Sequence, residues 1–117
     1  MAHYVITFGD LCKHVLREEP AKDRFQEIVN AQTYEEADHW RWFIADLEKL
    51  GHDPTLRFSD ALRFLWSDET ARSRVLAYQT IVRLAFGADS LRKLVVVHCA
   101  EATASVTVKH VVMAGAA

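Results

Sequence analysis

The chain has 117 residues, half of them hydrophobic and 26% charged, which excludes disorder, collagen-like and low-complexity classes and matches one globular domain over residues 1–117 with a single core. Fourteen Lys and Arg against sixteen Asp and Glu leave a formal charge of −2, so there is no global positive field to collect nucleic acid or anionic lipid.

Four glycines and two prolines are too few punctuators for an all-β fold with its many turns, and the stretches between them read as helices. The first is expected over Asp10 to Glu19, with Leu11, Cys12, Val15 and Leu16 at helical spacing before Pro20. The next is expected to run unbroken from Ala21 to Leu50. Its apolar stripe is Phe25, Ile28, Val29, Trp40, Phe43, Ile44, Leu47 and Leu50, with Lys49 in the last turn and Gly51 as the stop. Trp40, Trp42, Phe43 and Trp66 are assigned to core and interface packing.

Ser59 can cap a short helix through Trp66. A further helix is expected from Asp68 to Phe86, ended by Gly87. The last, Leu91 to Met113, capped by Asp89 or Ser90, is rich in valine and threonine, which strands favour. Leu91 to Met113 is more than twenty residues without Gly or Pro, too long for a typical strand, so the segment reads as a helix. It is apolar on nearly all faces and is expected to lie at the centre of a bundle of four to five helices.

Chemistry-bearing residues interrupt two of these stripes. Glu36 and His39 fall within the stripe of the second helix and, three apart, project from one face. Both cost free energy to bury alone, and a Glu-x-x-His pair can offer a carboxylate oxygen and an imidazole nitrogen to one metal ion, as di-iron and di-manganese helix bundles do. Glu101 sits amid the face Leu94, Val97, Ala104, Val108, Val111, where an unpaired carboxylate is rare. His98 precedes it by one turn, the same pair in reverse order. His110 falls on the opposite face about 13 Å along the axis and is a weaker candidate. The bland alternative is a half-exposed surface pair at Glu36 and His39, a core imidazole at His98, and an arginine partner for Glu101.

Cys12 and Cys99, far apart in apolar surroundings, read as buried free thiols rather than a disulfide or redox motif. The opening MAHYVITFGD lacks the basic and long apolar regions of a signal peptide, and no apolar run reaches the roughly 18 residues of a membrane span. A cytoplasmic location and no membrane partner are therefore expected. The chain has no nucleophile elbow, phosphate-binding glycine loop, cysteine-rich zinc motif or basic cluster with interleaved aromatics, so nucleic acid is not an expected partner.

The runs QTYEEADHWRWFIADLEKLG, FSDALRFLW and VVVHCAEATASV together resemble the haem-oxygenase-like di-metal oxidase group. The resemblance spans about Phe25 to Val108 and rests on a general pattern. It implies an all-α, haem-oxygenase-like bundle, two iron ions with manganese or zinc as alternatives, and activation of dioxygen to oxidise a small organic molecule. By position Glu36 and His39 correspond to the first ligands and Glu101 to the carboxylate of a later helix. Two departures stand out. Where members often continue Glu-Ala-Thr-Gly this chain has Ala104, and the further helix bearing His and Asp does not follow His110. His98 or His110 can substitute, the chain can be a short relative with an incomplete site, or two copies can each donate half a site.

Two functions follow, with haem binding through His39 or His98 a third that fold analogy alone suggests. One is a metal-dependent oxidoreductase with Glu36, His39 and Glu101 as ligands and His98 in support. The other is a non-catalytic helical dimerisation protein that keeps the packing without the chemistry. Self-association is expected in both, because few helices cannot cover a last helix that is apolar all round.

Overall fold

The computed structural model describes residues 2–81 and 86–115, with side chains as far as residue 102. Every regular element among them is helical, in a bundle of α1 (Ala2–Leu11), α2 (Arg24–Glu36), α3 (Trp40–Lys49), α4 (Phe58–Leu65), α5 (Ala71–Gln79) and α6 (Ser90–Gly115). A π-helical turn, Cys12–Leu16, continues α1, and one 3₁₀ turn, Asp68–Thr70, leads into α5.

The core lies where α1, its π-helical turn, α2 and α6 meet. Leu11, Cys12, Leu16, Val29, Ala37, Val96 and Val97 are buried there, with Phe8, Val15, Ile81 and Leu94 packed against them. Burial of each of these side chains is worth about 1.5–3 kcal/mol for the larger aliphatics.

Four expectations from the sequence are corrected. The first helix starts at Ala2, because Gly9 does not end it. A Cβ at Gly9 would lie 2.8 Å from the Ala37 carbonyl oxygen and 3.2 Å from Trp40 Cδ1, so a residue without a side chain is what lets α1 cross the α2–α3 corner. Second, the helix expected from Ala21 to Leu50 is two helices. Ala37 and His39 keep right-handed helical angles, but His39 N–H reaches back only to the Glu36 carbonyl and Trp42 N–H to that of His39, a tightened turn under the crossing of α1.

Third, α2 does not bury the expected stripe. Phe25 and Ile28 are exposed, and Gln26, Val29, Asn30 and Thr33 face inward. The polar three are hydrogen-bonded, except that Gln26 Oε1 is buried with no hydrogen-bond partner among the described residues. Gln26 Nε2 donates to the Leu16 carbonyl (2.9 Å) and to Asn30 Oδ1 (2.8 Å), and Asn30 Nδ2 donates to the Glu18 carbonyl (2.8 Å). Arg17 donates from Nε to Thr33 Oγ1 (3.0 Å) and lies over the Tyr34 ring at 3.7 Å. Trp42 and Trp66, assigned to packing, are also mostly exposed.

Fourth, over its described side chains, to residue 102, α6 is covered on one side only. Lys93, Val96, Val97 and Ala100 are buried, while Leu91, Val95, His98, Cys99 and Glu101 are exposed, so Cys99 is not the buried thiol that its neighbours suggested. The start of α6 is where the sequence placed it. Asp89 Oδ1 accepts from Arg92 N–H (2.8 Å) and caps it. Of the helix expected from Asp68 to Phe86, the described residues form the 3₁₀ turn Asp68–Thr70 and α5; Val82 and Leu84 of its apolar surface lie outside the described residues, as do the side chains of Ala104, Val108, His110 and Val111.

Candidate functional site: a carboxylate–imidazole pair at the α2–α3 corner

The pair picked out by spacing is assembled. Glu36 ends α2, His39 is the residue before α3, and the tightened turn between them brings His39 Nδ1 to 2.8 Å from Glu36 Oε2. The Glu36 side chain is 12% exposed and that of His39 33% exposed. The imidazole stacks on the Trp42 ring, with centroids 4.3 Å apart and planes 19° apart. With a proton on Nδ1 donated to the carboxylate, Nε2 is the nitrogen left to accept a proton or meet a ligand. Glu36 thus orients the ring, as the carboxylate does in carboxylate–histidine–metal arrangements.

Burial pushes the Glu36 carboxyl above its ordinary range. The nearby imidazole of His39 pulls it back down, and the charges of Glu101 and Glu35 raise it again. Glu101 therefore lies close enough for its charge to be felt at Glu36, although its side chain is exposed rather than buried in the valine-rich face. His98 is exposed on the same helix. Cys12 is the other ionisable group in this part of the core. Burial, then the Glu36 charge, push its thiol up to about 12 against the opposing effect of Arg17 and Lys13. At that value it is a neutral packing group and not a nucleophile. Tyr4 is raised too, by burial first and then by Cys12.

A metal held by protein side chains normally has three or more of them. Among the described residues no three His, Cys, Asp or Glu side chains are grouped to hold an ion. Glu36 and His39 supply two donors at one place, already bonded to each other, fewer than such a site needs.

A second cluster was missed by the sequence reading. Glu18 Oε2 meets Lys93 Nζ (3.2 Å), buried on α6, and Lys22 Nζ (3.3 Å); hydrogen bonds from Lys93 and then Lys22 hold its carboxyl below the usual range. Asp23 accepts from Ser90 Oγ (2.6 Å) with one oxygen and caps α2 at Gln26 N–H (2.8 Å) with the other, and these bonds hold its carboxyl low as well, Ser90 contributing most. The signal was present as Asp23-x-x-Gln26 and as Gln26, Asn30 and Thr33 at helical spacing. Scanning for apolar stripes passes over it, because a polar stripe reads as a solvated face.

No protein-family model matches the chain, and a search of curated proteins finds no match. Among the described residues no helix is long and apolar enough to cross a membrane.

Proposed function

We propose that this chain is a helical interaction module that works as a self-associated assembly. The observation that supports this reading is exposed apolar surface: among the described residues Leu56, Phe58, Phe64, Trp66, Tyr78 and Phe86 are each more than half exposed. Pairing would cover α6 on its open side and make it the central helix that its composition asks for. Sedimentation equilibrium of the purified chain tests this. A dimer or higher assembly at tens of micromolar is expected, and a strict monomer overturns it.

A second reading is a metal-dependent oxidoreductase of the haem-oxygenase-like type, taking dioxygen and a small organic molecule. One observation favours it: Glu36 and His39 are paired inside the fold with the charge of Glu101 within reach. Iron, or manganese or zinc, would be held by His39 Nε2 and the Glu101 carboxylate, with Glu36 orienting the imidazole through Nδ1 and His98 in support, and would supply redox or Lewis-acid chemistry. The site would be completed by groups from a second copy. Elemental analysis of chelator-free protein, before and after Glu101→Ala, separates the two readings. Stoichiometric metal lost in the variant supports the oxidase; metal-free protein that still self-associates supports the module.

A further inference from the structure

We propose that the groove between α1, α5 and α6 binds a small amphipathic anion, a carboxylate on an apolar chain, with the chain lying along α6 and the carboxylate on Arg92. The site lies within one copy, so it goes beyond the self-association reading and does not rest on it.

The groove holds about 390 Å³, within the size range of small-ligand clefts. Leu76 of α5 and Val95, Val96 and Ala100 of α6 supply its apolar wall. Val96 and Ala100 are buried and lie at its base, whereas Leu76 and Val95 are each about half exposed and meet water unless something covers them. Arg92, Val96 and Ala100 recur every four residues, so they form one stripe about 12 Å long on the helix. Arg92 stands at one end of that stripe and Ala100 at the other. An extended decanoate chain is of this length.

The hydrogen-bonding capacity that the groove leaves unspent is that of donors. Three of its side chains carry nitrogen or oxygen: Tyr4, Thr80 and Arg92. Thr80 Oγ1 donates to the Leu76 carbonyl (2.8 Å). The Tyr4 hydroxyl and the Arg92 guanidinium make no hydrogen bond or ion pair among the described residues. Asp89, three residues before Arg92, accepts from its backbone N–H (2.8 Å) instead of pairing with its guanidinium. No Asp or Glu lines the groove, so the one charge there is positive. A guanidinium presents its N–H groups as a fork that the two oxygens of a carboxylate match, and this charge-assisted pair is stronger than a neutral hydrogen bond. One cation at the end of one apolar stripe suits a single head group on a single chain. A cationic head meets repulsion there, and an acidic peptide finds no second basic side chain in the groove.

Isothermal titration calorimetry of the full chain with decanoate, and with decanol as the uncharged chain of the same length, tests this. Decanoate should bind once per chain and about tenfold or more tighter than decanol. Arg92→Gln should bring decanoate down to the level of decanol, and Arg92→Lys, which keeps the charge and loses the fork, should fall between. Val95→Asn should weaken both ligands. Arg92 and Val95 are exposed, so helical circular dichroism should be unchanged in all three variants. Absence of saturable binding, decanol as tight as decanoate, or an unchanged affinity in Arg92→Gln each overturns the proposal. Absent binding in a chain that sedimentation still finds self-associated assigns the groove to a second copy. Decanoate binding of the expected pattern by a strict monomer upholds the proposal and overturns the self-association reading alone.

Discussion

α2 and α4 invert what their sequences advertise. α4 is the more amphipathic, with a clean apolar face, and buries none of its residues; α2 buries Gln26, Asn30 and Thr33 and leaves Phe25 and Ile28 outside. The difference is in their neighbours. α2 lies between the Cys12–Leu16 turn and α6, and its inward polar groups meet the Leu16 and Glu18 backbone. A buried amide that finds such partners costs little, whereas an exposed phenylalanine has nothing to pack on until another surface arrives. Amphipathicity states what a helix needs, and the surrounding chain decides whether the need is met.

Leu16→Ala removes a fully buried side chain and is expected to cost about 2–5 kcal/mol in urea unfolding, independent of protein concentration. Leu62→Ala on α4 should lower stability only as far as dilution does, so its effect should vanish at concentrations where the wild type is itself dissociated. Equal, concentration-independent losses in both would erase the distinction between the two helices.

Gly9→Ala comes next. On helix propensity alone it should stabilise by about 1 kcal/mol. The crowding against the Ala37 carbonyl oxygen reverses the sign, and a net loss of about 1–3 kcal/mol in thermal or urea melts is expected. Gly51→Ala meets no neighbour but strains a left-handed backbone at φ 72°, a smaller loss.

Acid should then act on the closed side through Glu18 and Asp23. Both carboxyls are held low in the fold, so their contribution is present above their ordinary pKa values near 4 and is lost as pH falls through the folded values. Stability should decline below about pH 4, and the decline should be shallower in Ser90→Ala and Glu18→Gln.

The smallest effect concerns Glu36, whose shift has the opposite sign. A carboxyl raised by burial favours the fold while protonated, and that advantage disappears as pH rises through its folded value. Glu36→Gln should flatten the pH dependence on that side. Glu101→Gln should lower the Glu36 titration midpoint measured by side-chain carboxyl NMR, since one of the charges raising it is removed. An unmoved midpoint would place Glu101 out of range of the pair.

Glu36 and His39 were legible because a three-residue spacing fixes which side chains share a helix face whatever else the chain does. Their bond also survived a break in the helix that spacing does not reveal, since the turn at Ala37 to His39 contains no Gly or Pro. The burial of Glu101 was misjudged for a related reason. Among the described side chains α6 is buried along Lys93, Val96, Val97 and Ala100, and Glu101 lies beside that line.

α4 begins at Phe58, before the expected cap Ser59, with Arg57 at its N-cap and no side-chain cap. The sequence by itself determined the helical class, the C-terminal end of α4, the capped start of α6 and the composition of the Glu36–His39 pair. These depend on local backbone preferences and on spacing within one helix, which act over a few residues. Tertiary structure alone decided that Gly9 lies inside a helix, that Gln26, Asn30 and Thr33 face inward, that Lys93 is buried on Glu18, and which apolar faces stay uncovered. Each of those depends on a group distant in sequence. A carbonyl at Ala37, a backbone amide at Glu18 or the side of a neighbouring helix sets the local outcome, and hydrogen-bond closure and steric fit then outweigh the intrinsic preference of the residue.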